Sequence, residues 1–183
     1  MKTIAKTIII ICLTTSFINA GDLLLIDSSG SMDRRSIKKP IKEMVKSYLN
    51  TSNEVLAFND DVYTVKDKND LVFKGGTALS KALEHIYSLD IGYVVLVTDG
   101  IPDSETKTLL ASKKLREKDV KICSVYLTNS SGSTPTVLEQ ISNQLFSTNE
   151  IDQVFKLCTS AVKKKLISGL AVQKRVDTHK FDF

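Results

Sequence analysis

Two stretches of this chain are apolar at every position. Leu23-Leu24-Leu25-Ile26 and Tyr93-Val94-Val95-Leu96-Val97 show no polar alternation, the pattern of strands buried on both faces of a sheet. Between them the period changes. Over 35–49, Ile37, Ile41, Met44, Val45, Tyr48 and Leu49 recur on one side of a helix. Pro40 inside that run predicts a helix start near it, or a kink. Segments 54–58 and 62–65 read as strands joined by Asn59-Asp60-Asp61, a link so short that the pair runs antiparallel. After a polar stretch at 66–70, a helix over 77–89 aligns Leu79, Ala82, Leu83, Ile86 and Leu89.

The second half repeats the rhythm: helix 104–118, strand 120–127, a loop of Ser, Gly and Thr at 129–135, helix 137–145 and a closing helix over 152–167. Ser130-Ser131-Gly132-Ser133 echoes an earlier segment but lacks its acid, so it is read as loop composition, and no internal repeat is seen. Strands alternating with helices predict a doubly wound, mostly parallel α/β sheet of Rossmann-like form, with one antiparallel edge strand and helices on both faces. In such sheets ligands bind beyond the carboxyl ends of the strands.

The first residues read differently. Lys2 and Lys6 precede a run from Ile8 to Ile18 that is apolar or small, and Ile18-Asn19-Ala20 offers a cleavage site before Gly21. An uncleaved anchor is the rival, but a span needs about 20 apolar residues, and Thr14, Thr15 and Ser16 interrupt this one. A lipid on Cys12 is disfavoured by the bulky Ile11 before it. The expected organisation is a signal peptide at 1–20, one domain at 21–170 and a flexible tail at 171–183. The mature chain is then exported, to a bacterial periplasm or the extracellular space, with no stable membrane span; N-terminal anchoring is the alternative.

Composition narrows the partners. The chain of 183 residues has room for one domain with a sizeable core, and 42% hydrophobic with 25% charged residues is ordinary for a globular protein. Without Lys2 and Lys6 the net charge of +4 falls to +2, too weak a bias for nucleic acid. Export makes a disulfide between Cys123 and Cys158 one reading. Two buried thiols acting as small apolar residues is the other.

Three segments fall on the predicted carboxyl rim. Asp27-Ser28-Ser29-Gly30-Ser31-Met32 follows the first buried strand, Gly75-Gly76-Thr77 opens a helix, and Thr98-Asp99-Gly100 follows the second buried strand. They gather carboxylates and hydroxyls but no soft ligand. Oxygen donors select a hard cation, and Mg2+ accepts one or two carboxylates with hydroxyls and waters. Gly30 permits the turn between Ser29 and Ser31.

Asp27-x-Ser29-x-Ser31, then Thr77, then Asp99 resembles the metal-ion-dependent adhesion site of von Willebrand factor type A domains in order, spacing and strand context. The resemblance covers 23–167. It implies that Ser29 and Ser31 bind the ion through their hydroxyls, with Thr77 direct or through water. Asp27 and Asp99 would supply charge, often through coordinated water. Mg2+ is the implied ion, with Mn2+ or Ca2+ as alternatives. The shell keeps an open position, which an Asp or Glu of a protein partner would complete.

Each residue also has an ordinary structural role to weigh. Asp27 and Ser31 could cap the following helix, and Thr77 its own; Asp99-Gly100 could be a plain turn. Asp33, Asp60, Asp61 and Asp103 read as solvated turn residues, with Asp103 the one expected to come nearest the ion. His85 and His179 lack the paired spacing of metal or catalytic histidines. A phosphatase of the haloacid dehalogenase type would need a second Asp where Ser29 stands, to protonate the leaving group. A serine hydrolase would need a Gly-x-Ser-x-Gly elbow, and none is present. A binding protein without enzymatic activity is expected. A structural subunit of a cell-envelope complex, its metal only stabilising the fold, is the alternative, and a metal-assisted phosphatase comes last.

Overall fold

The computed structural model describes residues 21–50, 53–128 and 134–148. The first buried run becomes β1 (Gly21–Asp27), and α1 (Arg35–Leu49) returns the chain to β2 (Glu54–Phe58), parallel to β1. The three-residue link Asn59-Asp60-Asp61 closes on β3 (Val62–Thr64), antiparallel to β2. Beyond α2 (Leu79–Tyr87), β4 (Ile91–Thr98) pairs with the other side of β1. Then follow α3 (Glu105–Glu117), β5 (Lys121–Leu127), α4 (Thr136–Ile141) and β6 (Gln144–Thr148). The strand order is β3-β2-β1-β4-β5-β6, parallel except for β3. The chain therefore winds outward from β1 in one direction and from β4 in the other, and the two strands meet at the point where the winding reverses.

Unbroken apolarity in β1 and β4 has its cause in two covered faces. Leu24 and Ile26 join Val95, Val97, Cys123 and Val125 beneath α1, which contributes Ile37, Ile41, Met44, Val45 and Tyr48. Leu23 and Leu25 join Leu56, Val94, Leu96 and Ile122 beneath α2, α3 and α4. Successive residues point to opposite cores, as strand geometry requires.

Helix α1 covers the expected 35–49 and runs through Pro40 rather than starting at it; only one helical N–H is forfeited there, and the apolar face on either side of Pro40 holds the helix to the sheet. Two other helices depart from their expected bounds. Helix α2 begins at Leu79, with Ala78 as its N-cap, because the peptide groups of Thr77 are engaged elsewhere. The expected helix over 137–145 stops at Ile141, and β6 follows as a sixth strand. Asn143 causes the change: its N–H donates to the Ile122 carbonyl at 2.8 Å, and its Oδ1 accepts from Ile122 N at 2.8 Å. That pair draws the chain into the ladder beside β5. The polar stretch after β3 forms a short 3-10 turn at Lys68–Asp70, closed by reciprocal capping between Asp67 and Asp70.

No helix among the described residues is long and apolar enough to cross a membrane. The expected signal peptide, the closing helix over 152–167 and the tail lie outside the described residues. So does Cys158, and with it the pairing; Cys123 is buried in β5, where burial pushes its thiol pKa up.

Candidate metal centre

Strands β1 and β4 end side by side, and so do their polar tips. Asp27, the last residue of β1, is fully buried, an unusual place for a carboxylate. Its Oδ1 accepts from the Ser29 N–H at 2.8 Å, and its Oδ2 from the Thr98 hydroxyl at 2.5 Å. The loop after β1 then forms a single 3-10 turn, Gly30–Met32. Within it the hydroxyls of Ser29 and Ser31 lie 3.0 Å apart, and Ser31 donates to Asp99 Oδ1 at 2.6 Å. The other Asp99 oxygen receives the guanidinium of Arg34.

Thr77 reaches the same rim from a third segment. Lys74 N–H donates to Ser28 O at 2.9 Å and Gly30 N–H to Gly75 O at 3.1 Å, so the Gly75-Gly76-Thr77 loop lies against the Asp27–Ser31 loop. Gly75 holds φ +70°, a left-handed conformation suited to glycine. Gly100 fixes the remaining relation: a Cβ there would stand 3.1 Å from Thr77 Oγ1 and 3.5 Å from Asp27 Oδ2. The Thr77 hydroxyl and the Asp27 carboxylate thus flank one glycine, where a side chain would crowd the hydroxyl.

All five expected residues therefore come to one rim, from three segments of the chain. None makes a side-chain capping bond: Ser29 holds the N-cap position of the 3-10 turn, Arg34 that of α1 and Ala78 that of α2, and no side chain caps there. The donor set fits a hard divalent cation. Every donor is oxygen, two from carboxylates and three from hydroxyls, with no thiol or imidazole in the set. Both Asp27 oxygens already accept hydrogen bonds, as do both of Asp99, which suits carboxylates acting on an ion through water. Electrostatics agrees. Burial pushes the Asp27 pKa up to about 6, opposed by the bonds from Ser29 and Thr98 and assisted by the nearby charge of Asp99. A cation relieves that burden.

Four supporting residues lay beyond the motif. Thr98 stood within the rim segment Thr98-Asp99-Gly100 with no role of its own, and Arg34 lies three residues beyond Ser31. Asp60 and Asp103, expected to be solvated turn residues, are exposed yet engaged: Asp60 Oδ1 accepts from Gly76 N–H at 2.8 Å, and Asp103 Oδ1 from Thr77 N–H at 3.0 Å. Asp103 N–H returns a bond to Thr77 O at 3.1 Å. Asp33 instead pairs with Lys38 at 2.6 Å, and Asp61 lies 3.6 Å from Lys81. His85 is exposed on α2, and His179 lies outside the described residues.

No protein-family model matches the chain, and no curated protein matches it. Solved structures do. Proximal thread matrix protein 1 from the mussel byssus is similar at TM-score 0.59 and 21% identity, over 75% of this chain and 46% of that one. A second structure of it, with a zinc-occupied MIDAS motif, matches to the same extent. The manganese-loaded TRAP protein of Plasmodium vivax matches at TM-score 0.55 and 17% identity, over 75% of this chain and 71% of that one. This chain spans a little under half the length of the mussel protein. Strand order, antiparallel edge and structural likeness agree: the fold is that of a von Willebrand factor type A domain.

Proposed function

We propose that the rim of Asp27, Ser29, Ser31, Thr77 and Asp99 holds one divalent cation, Mg2+ or Mn2+, and that the domain uses it to grip an Asp or Glu of a protein partner. One observation carries this reading. Two buried carboxylates and three hydroxyls from separate segments converge where β1 and β4 end together. An ion held there would supply an electrophilic position for an incoming carboxylate oxygen. The chain's own groups do the rest. Thr98 and the Ser29 N–H orient Asp27, Ser31 and Arg34 hold Asp99, and Asp103 holds the Thr77 peptide.

The metal reported in the mussel structure is zinc and that in TRAP is manganese; in this chain the all-oxygen donor set favours the harder ions. The reading includes no catalysis, because the rim offers no acid where Ser29 stands and no histidine beside Ser29 or Ser31. Export follows from the leading segment of the sequence. A second reading, in which the metal only stabilises the fold of an envelope subunit, draws on the complete burial of Asp27.

Calorimetric titration tests the site. Mg2+ or Mn2+ is expected to bind one site in the wild type, with the heat lost in Ser29→Ala and Thr77→Ala. Tight Zn2+ binding with no response to Mg2+ or Mn2+ would refute the assignment.

A further inference from the structure

We propose that Arg34 is a built-in rival of the metal ion: its guanidinium holds Asp99, and a divalent cation binds by displacing it. The inference rests on the metal reading above and adds the residue that sets the threshold for loading.

The geometry is specific. Arg34 occupies the short extended link between the Gly30–Met32 turn and α1, with φ −94° and ψ 136°. From there its Nε donates to the Ser31 carbonyl at 3.1 Å, while an Nη donates to Asp99 Oδ2. One side chain therefore clamps two of the three segments that build the rim. Exposure separates this contact from an ordinary surface ion pair: the Arg34 side chain is 40% exposed, but that of Asp99 only 1%. A buried carboxylate needs a charged partner. Ser31 supplies a hydroxyl to Asp99 Oδ1 and no charge, so the guanidinium is the cation that offsets Asp99.

An ion on the rim draws on the same negative charge. Guanidinium and metal therefore compete for Asp99, and the exposed arginine can swing into water when it loses. Charge decides the contest. A monovalent ion brings no more charge than the guanidinium does and lacks its fixed donor geometry, whereas a divalent ion brings twice as much. The contact thus filters for divalent ions and keeps Asp99 tolerable to the fold before loading.

The test compares wild type, Arg34→Gln and Lys38→Gln. Lys38 pairs with Asp33 at 2.6 Å, so its substitution removes the same charge close by without touching Asp99. Mg2+ and Mn2+ titrations are expected to show Arg34→Gln binding roughly tenfold tighter or more, the scale of a charge-assisted contact. Lys38→Gln is expected to stay within about threefold of wild type, as a surface pair would. Without metal the melting temperature of Arg34→Gln falls below that of wild type; with saturating Mn2+ the two converge. Should Arg34→Gln fold poorly, Arg34→Lys keeps the charge but not the fork, and intermediate tightening supports the rivalry. Affinity in the Arg34 variants no tighter than in Lys38→Gln overturns it. Binding by none of these proteins overturns the metal reading itself and the rivalry with it.

Discussion

Thr98 donates its hydroxyl to Asp27 at 2.5 Å, joining the tips of two parallel strands across 71 residues of sequence. Thr98 also accepts from Gly100 N–H at 3.1 Å. One hydroxyl thus orients the buried acid and shapes the turn that carries Asp99 past Thr77. Thr98→Val keeps the volume and deletes the hydroxyl, leaving a buried carboxylate oxygen and a backbone N–H short of partners, at about 1–3 kcal/mol. A lower denaturation midpoint and about tenfold weaker Mg2+ binding are expected, with Thr98→Ser close to wild type. Equal affinity in Thr98→Val would remove Thr98 from the site.

The acid it orients makes stability depend on pH in an unusual sense. The Asp27 pKa is about 6 in the fold against an ordinary 3.8, so between those values the native state binds more protons than the unfolded one. Stability from this group is present below about pH 4 and is lost as pH rises through about 6, by about 3 kcal/mol in all. The contribution is read as the difference between wild type and Asp27→Asn in denaturant unfolding without metal. Saturating Mg2+ is expected to cancel the loss, since the ion binds the carboxylate form. A wild-type profile parallel to that of Asp27→Asn from pH 4 to pH 7 would exclude the shift.

Four of the five rim residues were legible in the sequence because their oxygen donors follow strands whose apolarity announces them, and Thr77 because it follows two glycines at the head of a helix. The helpers were not, although Asp103 was the turn acid expected to come nearest the ion. Arg34, Asp60 and Asp103 act through contacts between segments far apart in the chain, such as Asp60 with Gly76 and Asp103 with Thr77. No local pattern encodes those meetings. The same holds for β6: Leu145 and Phe146 suit a helix as well as a strand, and Asn143 decides by bonding to Ile122. At Pro40 a local rule was overridden by the apolar face of α1.

That override can be measured. Helix α1 carries Pro40 at its sixth position, where the ring removes one backbone hydrogen bond and crowds the preceding turn. Pro40→Ala is expected to stabilise the protein by about 1–3 kcal/mol in urea unfolding. Metal affinity should not change, as none of the five rim residues lies on α1.

Asp60 and Asp103 are expected to matter to binding more than to folding. Both are exposed, yet their carboxylates hold the N–H groups of Gly76 and Thr77. Removing either frees the loop that presents the Thr77 hydroxyl. Asp103→Ala, which loses a bond to Thr77 itself, is expected to weaken Mn2+ binding several-fold with a melting temperature near wild type. Asp60→Ala is expected to show a smaller loss. Unchanged affinity in both would mean that the loop is held without them.

The last prediction separates gripping a partner from steadying the fold. Asp27→Ala, Ser29→Ala and Thr77→Ala all remove parts of one shell, so their effects on partner binding are expected to be non-additive. Chelation should reproduce them, and so should replacing one acidic residue of the partner. The partner itself is to be recovered from envelope extract with and without chelator. If the ion bridges to the partner, affinity collapses in variants that remain folded, because these polar side chains lie at the rim of the aliphatic core. If the ion only steadies the fold, the variants melt earlier and binding declines in proportion to unfolding. Melting temperature and partner affinity measured on the same preparations decide between them. Normal partner affinity in folded, metal-free Asp27→Ala would end the gripping hypothesis, since no charge would remain at the β1 tip to hold the ion.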